Sequence, residues 1–327
     1  MTPDPGVQLA PRASRAPASR RAARSSLADL AFRWTTAACA GVVVLVVAGI
    51  LCELVRNSQL SIDKFGLGFL TSKAWNPVTQ DFGARSSIFG TLASTLIAML
   101  LAVPLSLVTA VFLVDLAPPR FSYFVGVGLE LLAAVPSIIY GMWGLFVFAP
   151  FMASYVQPAL YTISGGISLF APPMIGIGVL TAGMILALMI LPYICAVTRD
   201  VFRMTPPMLK ESAYGMGATT WEVTRQVTIP YGLRGVIGAT FLGLGRAIGE
   251  TMAVTFVIGN EHKISTSLFA AGNTISSTLA NEFNEASEAM YRSALVELGL
   301  VLFLLTLVFQ AAAHLWLRSM APTGAQR

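Results

Sequence analysis

Glu211-Ser212-Ala213-Tyr214-Gly215-Met216-Gly217, followed after nine residues by Val227-Thr228-Ile229-Pro230, is a polar segment set between two long apolar runs. Those runs, about 174 to 198 and 235 to 258, are each long enough to cross a bilayer as a helix, which takes roughly 20 mostly apolar residues. Four further stretches pass the same test, at about 34 to 55, 87 to 114, 122 to 148 and 293 to 317. The expected fold is therefore all-α: a polytopic membrane protein with six transmembrane helices. Composition agrees, since 55% of the 327 residues are hydrophobic and 11% are charged, against roughly 25% charged in a soluble domain.

Between Glu130 and Arg199 there is no formal charge, and Pro150, Pro158, Gly165, Gly166, Pro172 and Pro173 are expected to divide this run into two spans joined by an apolar loop. Basic residues near spans favour the cytoplasmic side. With the amino terminus inside, fourteen of the 21 Lys and Arg residues fall on cytoplasmic segments and six on outer ones. Both termini and the Glu211 segment are thereby placed in the cytoplasm, which is the expected orientation in an inner membrane.

Residues 1–33 read as a basic cytoplasmic tail, disordered through about residue 28, because its Arg, Ala, Pro and Ser cannot bury enough apolar area to order the chain. Residues 34–327 form the transmembrane domain. Arg20-Arg21 precedes an apolar run, but Trp34 to Cys52 is too long for an export signal and no cleavage site follows it, so the first helix is expected to be retained. Cys39, Cys52 and Cys195 sit in apolar runs without metal or redox spacing and read as small buried residues. The net charge of +5 forms no basic stripe interleaved with aromatics, so nucleic acid is not expected as a partner; the lipid bilayer is.

The segment from about 199 to 234 has its own local design. Thr205-Pro206-Pro207 reads as a helix start, Gly215 and Gly217 as its stop, and Thr219-Thr220-Trp221-Glu222 as a capping box opening a second helix toward Pro230. Two short helices joined by a glycine hinge would present Met208, Tyr214 and Met216 to a groove on a soluble partner. An amphipathic surface helix touching nothing fits the same residues.

The fifth run contains Gly245-Arg246-Ala247-Ile248-Gly249-Glu250-Thr251-Met252-Ala253. An arginine at mid-membrane costs at least ~2.5 to 3.5 kcal/mol on insertion scales, so it needs protein or water around it. On a continuous helix Glu250 lies one turn on, on the same face as Arg246, with Ala239, Gly243 and Ala253. Two roles stand open for Arg246: neutralising Glu250 or Glu130, or contacting an oxyanion in a pore through its guanidinium fork. Pro104 and Pro136 are candidate helix kinks in the second and third runs.

The spacing Glu211-x-Ala213, three residues, Gly217, nine residues, Val227-x-Ile229-Pro230 resembles the loop by which membrane subunits of ABC importers dock their ATPase. Ser212 stands where that family usually has an Ala, and it is small enough to fit. The string Arg246 to Ala253, with Ala134-Val135-Pro136-Ser137-Ile138-Ile139-Tyr140-Gly141, is similar to the phosphate-specific ABC importer permease of the PstC type over about residues 34 to 320. The resemblance implies the type I importer permease fold and a nonenzymatic subunit. It also implies a substrate path involving Arg246, Glu250, Thr251 and Glu130, and ATPase docking by Glu211, Ser212, Ala213, Gly217 and Pro230 with Met208, Tyr214 and Met216.

The partners implied are a PstA-like permease subunit, two copies of an ABC ATPase, an extracytoplasmic phosphate-binding protein, and phosphate. No Lys follows a Gly, so a Walker A loop is lacking and no cofactor is expected on this chain; ATP and Mg belong to the partner ATPase. Alternatives at this point are an importer for another oxyanion, the sister PstA-type subunit, and an ion-coupled carrier working alone. A carrier has no use for the docking segment. The absence of His-Glu-x-x-His and Gly-x-Ser-x-Gly argues against common intramembrane hydrolases.

Overall fold

A computed structural model describes residues 19–319. In chain order the helices are α1 (Ser19–Asn57), α2 (Gln59–Phe65) and α3 (Gly68–Thr71), then a two-stranded antiparallel hairpin of β1 (Trp75–Asn76) and β2 (Asp81–Phe82). There follow α4 (Arg85–Leu116), α5 (Pro119–Ala133), α6 (Ser137–Ile163), α7 (Val179–Arg203), α8 (Pro207–Gly215), α9 (Thr220–Ile248), α10 (Met252–Ile258), α11 (Ile275–Glu282) and α12 (Ala289–Ser319). Among the described residues six helices are long and apolar enough to cross a membrane: Ala28–Asn57 within α1, and α4, α6, α7, α9 and α12.

Contacts divide the chain at Glu53, with Leu54 onward forming the larger unit. Residues 19–28, expected to be disordered, are helical backbone, whereas residues 1–18 of the expected tail lie outside the described residues. Cys39 and Cys52 are exposed on α1, contrary to expectation; Cys195 is buried on α7.

In the larger unit α7 is the central helix, packed by α4, α5, α9 and α10. Small residues make this possible, because without water to squeeze out, helices in lipid associate through close backbone approach. Ala98 and Ala102 of α4, Ala182 of α7 and Ala239 of α9 are fully or almost fully buried beside Ile185, Ile190 and Ile194. A Cβ on Gly243 would stand 2.6 Å from Ile194, and one on Gly183 2.6 Å from Ile97.

The third span differs from expectation. The run 122–148 is not one helix: α5 stops at Ala133, residues 134–136 are non-helical, and the membrane-length helix is α6, from Ser137 to Ile163. Pro150 and Pro158, expected to end that run, lie within it. The reason is local. Widened π-turns at Gly144–Phe148 and Met152–Val156 end two residues ahead of each proline, and a third at Thr224–Thr228 does so ahead of Pro230. A proline ring clashes with the carbonyl four residues back, and each of those carbonyls sits inside a π-turn. The helix opened by the Thr219 capping box therefore runs on through Pro230 to Ile248. At Pro104 α4 stays helical, while Pro136 marks a break rather than a kink.

Candidate functional site

Two interruptions, 134–136 and 249–251, lie within otherwise membrane-length apolar sequence. At the first, Pro136 biases Val135 away from the helical region and caps α6. The Tyr140 hydroxyl donates back across the gap to the Leu132 carbonyl at 3.0 Å. At the second, α9 ends at Ile248 and α10 begins at Met252. The backbone N–H of Ala253 donates to Glu250 Oε1 at 3.2 Å, so the carboxylate caps the short helix that follows it.

The helices that follow the two breaks lie against each other. A Cβ on Gly141 would stand 2.7 Å from the Phe256 ring and 3.1 Å from the Ala253 Cα, so this approach requires glycine. Irregular backbone at membrane depth is tolerated where it is buried in protein or lines a polar cavity. At both breaks the backbone turns on short local bonds: the Val135 N–H reaches the Leu132 carbonyl and the Glu250 N–H the Ala247 carbonyl.

Arg246 sits in the last turn of α9, where a cation suits the helix dipole, and its side chain is exposed. Its guanidinium carbon lies 5.8 Å from the centroid of the Tyr193 ring on α7. The expected arrangement of Arg246 and Glu250 on one continuous helical face is not found, because the helix stops between them. Nor does Glu130 pair with Arg246. Arg199 Nη2 donates to Glu130 Oε1 at 2.7 Å, with Asp200 at 3.3 Å on its other side. Among the described residues Arg246 has no ion pair. Thr251 Oγ1 donates to the Gly249 carbonyl at 3.3 Å and stays within the break.

The Glu211 segment forms the two helices expected of it. Gly217, at φ +89°, turns the chain in the left-handed region after α8, with its N–H on the Tyr214 carbonyl and that of Ala218 on the Ala213 carbonyl. Thr219 and Glu222 make the reciprocal capping box. Thr205, read as a cap, does not act as one: Pro206 holds the cap position of α8, and the Thr205 hydroxyl is buried without a partner. Ala213 is buried, while Glu211, Ser212, Tyr214 and Pro230 are exposed. Met208 and Met216 are the most open, at 74% and 83%.

A family model described as the binding-protein-dependent transport system inner membrane component matches residues 82–321. The chain belongs to that family. It is 51% identical over 324 residues to the phosphate transport system permease protein PstC of Mesorhizobium japonicum, covering 98% of this chain and 99% of that one. It is 50% identical over 291 residues to the protein of the same description from Pasteurella multocida, covering 88% and 91%.

Among solved structures, the inward-facing MetNI methionine ABC transporter aligns with a TM-score of 0.55 at 19% identity, over 72% of this chain and 95% of that one. A bacterial alginate ABC transporter aligns with a TM-score of 0.59 at 17% identity, over 91% and 98%. These likenesses speak for the fold, which is the type I ABC importer permease fold; the chain is a multi-pass membrane protein.

Sequence reasoning missed Tyr193 as the neighbour of Arg246, Arg199 as the partner of Glu130, and Asp115, whose carboxylate pairs with Lys210 of α8. The available signal for Asp115 was its place as the acid directly after the apolar run of 87 to 114. At the opposite end of the bundle, Glu282 Oε2 accepts from Trp75 Nε1 at 2.7 Å and from the Tyr291 hydroxyl at 2.6 Å, and Oε1 meets His262 Nε2 at 2.6 Å. Trp75 stacks on His262, tying the hairpin to the 259–288 segment. Burial alone pushes the Glu282 carboxyl up, but the hydrogen bonds from His262, Tyr291 and Trp75 and the His262 charge outweigh it, holding the carboxyl below its ordinary value.

Proposed function

We propose that this chain is the membrane-spanning permease subunit of an ATP-driven inorganic phosphate importer and forms half of its translocation path. The observation that carries the reading is Arg246: an exposed guanidinium in the last turn before the 249–251 break, without an ion pair among the described residues. Such a group is matched to a tetrahedral oxyanion, which it can bind through paired N–H donors. Broken helices at mid-membrane are where transporters expose backbone dipoles to a substrate without letting them face lipid. Relatives at 51% and 50% identity that carry the phosphate permease description support the choice of oxyanion.

Glu250, fixed as the cap of α10, and Thr251 border the path beside Arg246. Glu130 serves Arg199 at the ends of α5 and α7 and takes a structural role instead. The α8–α9 knob is the cytoplasmic socket of the ATPase, with Met208, Tyr214 and Met216 as its contact side chains and both termini on the same side. ATP and Mg are held by that ATPase, present in two copies, and this subunit is not itself an enzyme. A PstA-like subunit completes the pore, and an extracytoplasmic phosphate-binding protein delivers substrate at the His262 end.

The test is reconstitution of the complete complex in liposomes, with ATP-dependent accumulation of radiolabelled phosphate compared with sulfate and molybdate. Phosphate is expected to accumulate in preference to both. Preferred accumulation of sulfate or molybdate would reassign the substrate, and accumulation without any ATPase would make the chain a carrier.

A further inference from the structure

One buried carboxylate of the second span holds both arms of the docking knob, beside the apolar contact of Trp221 and Ile229 with Leu107, Val111 and Phe112. Asp115 lies in the last turn of α4, in the π-turn Phe112–Leu116, and its side chain is 6% exposed. A carboxylate at a helix C-terminus opposes the helix dipole, and an unpaired buried charge is costly, so this position depends on its partners. Both oxygens are taken. Oδ1 accepts from Lys210 Nζ at 2.7 Å and Oδ2 from Thr224 Oγ1 at 2.9 Å.

Lys210 belongs to α8 and Thr224 to the start of α9, so the two donors come from opposite arms of the knob, on either side of the Gly217 turn. Elsewhere α8 packs mainly on the first turns of α9, and its buried side chain is Ala213. At its other contacts α4 runs along α7 and α9, the helix that carries Arg246. Thr95, Leu96 and Met99 of α4 line a cavity with Leu244 and Ile248, beside the break.

We propose that Asp115 is the positioning residue that couples the ATPase to the pore: it locks both arms of the knob to α4, so that displacement of the knob moves the second span. The proposal rests on the phosphate-importer reading above and adds to it the residue that transmits the stroke. A buried, charge-assisted hydrogen bond suits this task because it is stronger than a neutral one, while the exposed Met208 and Met216 are left for the ATPase.

The experiment uses the complete reconstituted complex and measures phosphate taken up per ATP hydrolysed, together with ATPase retained on purification. Asp115→Asn is expected to keep the ATPase bound and hydrolysing, while uptake per ATP falls about fivefold or more, the lower end of ordinary coupling factors. Lys210→Met should act in the same direction. The exchanged pair, Asp115→Lys with Lys210→Asp, should recover a large part of the ratio, which a merely space-filling role would not allow.

Thr224→Val removes one hydrogen bond and keeps the volume, so it reports in the same direction should Asp115→Asn fail to assemble. An unchanged ratio in Asp115→Asn or Thr224→Val overturns the proposal. So does a loss of hydrolysis and uptake in equal proportion with release of the ATPase, which would make the pair a simple staple. If the native complex accumulates no phosphate, the functional reading itself fails and takes this proposal with it; native accumulation with an unchanged variant ratio defeats Asp115 alone.

Discussion

Arg199 of α7 and Arg246 of α9 belong to two packed helices at the centre of the bundle, and they are housed in opposite ways. Arg199, on α7, has a side chain 5% exposed, a carboxylate at 2.7 Å and a second at 3.3 Å, and its guanidinium packs over Gly126 of α5, where a Cβ would push it aside. Arg246, on α9, is exposed, has the Tyr193 ring 5.8 Å away, and forms no ion pair among the described residues. A buried, neutralised charge holds helices in register; an open one beside a break in two spans is available to a ligand. The two sites show that an arginine in a span is assigned by its surroundings rather than by its depth.

The largest expected effect tests the open site. Arg246→Ala should lower phosphate uptake by the reconstituted complex roughly 10- to 100-fold, the size of a lost charged hydrogen-bond pair of about 1.5 to 3 kcal/mol, with the ATPase still bound. Uptake unchanged within error would remove Arg246 from the path and erase the contrast with Arg199. Arg246→Lys, which keeps charge and loses the planar fork, should fall between the two.

Next in size is the knob. Gly217 takes φ +89°, whereas proline is fixed near −65°, so Gly217→Pro must remake the turn between α8 and α9. Copurification of the ATPase should drop several-fold while membrane insertion is retained; undiminished ATPase binding would separate the turn from docking.

The closed site is expected to respond in stability instead of transport. Arg199→Ala should lower thermal stability in detergent by about 1 to 2 kcal/mol, because Glu130 is 60% exposed and can be solvated once its partner is gone. Glu130→Gln should cost less. Uptake per folded transporter should be near native in Glu130→Gln, and its abolition would put Glu130 back into the substrate path.

The smallest effect concerns the far end of the bundle. The Glu282 carboxyl is held below its ordinary value, so its contribution to stability is fully present above the unfolded value and is lost as pH falls through the lowered one. Fluorescence of Trp75, isolated by difference from Trp75→Phe, should therefore change only on acidification below the usual carboxylate range. Glu282→Gln should abolish that change and destabilise by about 1 kcal/mol. A Trp75 signal that is identical in the two proteins would show that the carboxylate does not set the hairpin's position.

Much of the fold was legible because its signals are local. The number of membrane-length spans, the Thr219–Glu222 capping box and the left-handed Gly217 each follow from residues close in sequence, and each is present among the described residues. The third span was misplaced for an equally local reason. Pro150 and Pro158 signal a loop between two spans, whereas π-turns ending two residues upstream absorb the proline ring and let α6 continue. The site was only half legible. Arg246 and Glu250 stand out by charge, but Gly249-Glu250-Thr251 is compatible with a helix, and nothing in the string marks it as a break.

The sequence by itself determined that the chain holds six runs long and apolar enough to cross a membrane, where its polar knob lies and which charges enter the apolar runs, since hydropathy and helix termini depend on neighbours within a turn or two. Only the tertiary structure decided which charges meet. Glu130 finds Arg199 across 69 positions and Lys210 finds Asp115 across 95, and Arg246 is left open. An ion pair is a contact between elements, and its choice of partner depends on how α4, α5, α7 and α9 stack through their small residues.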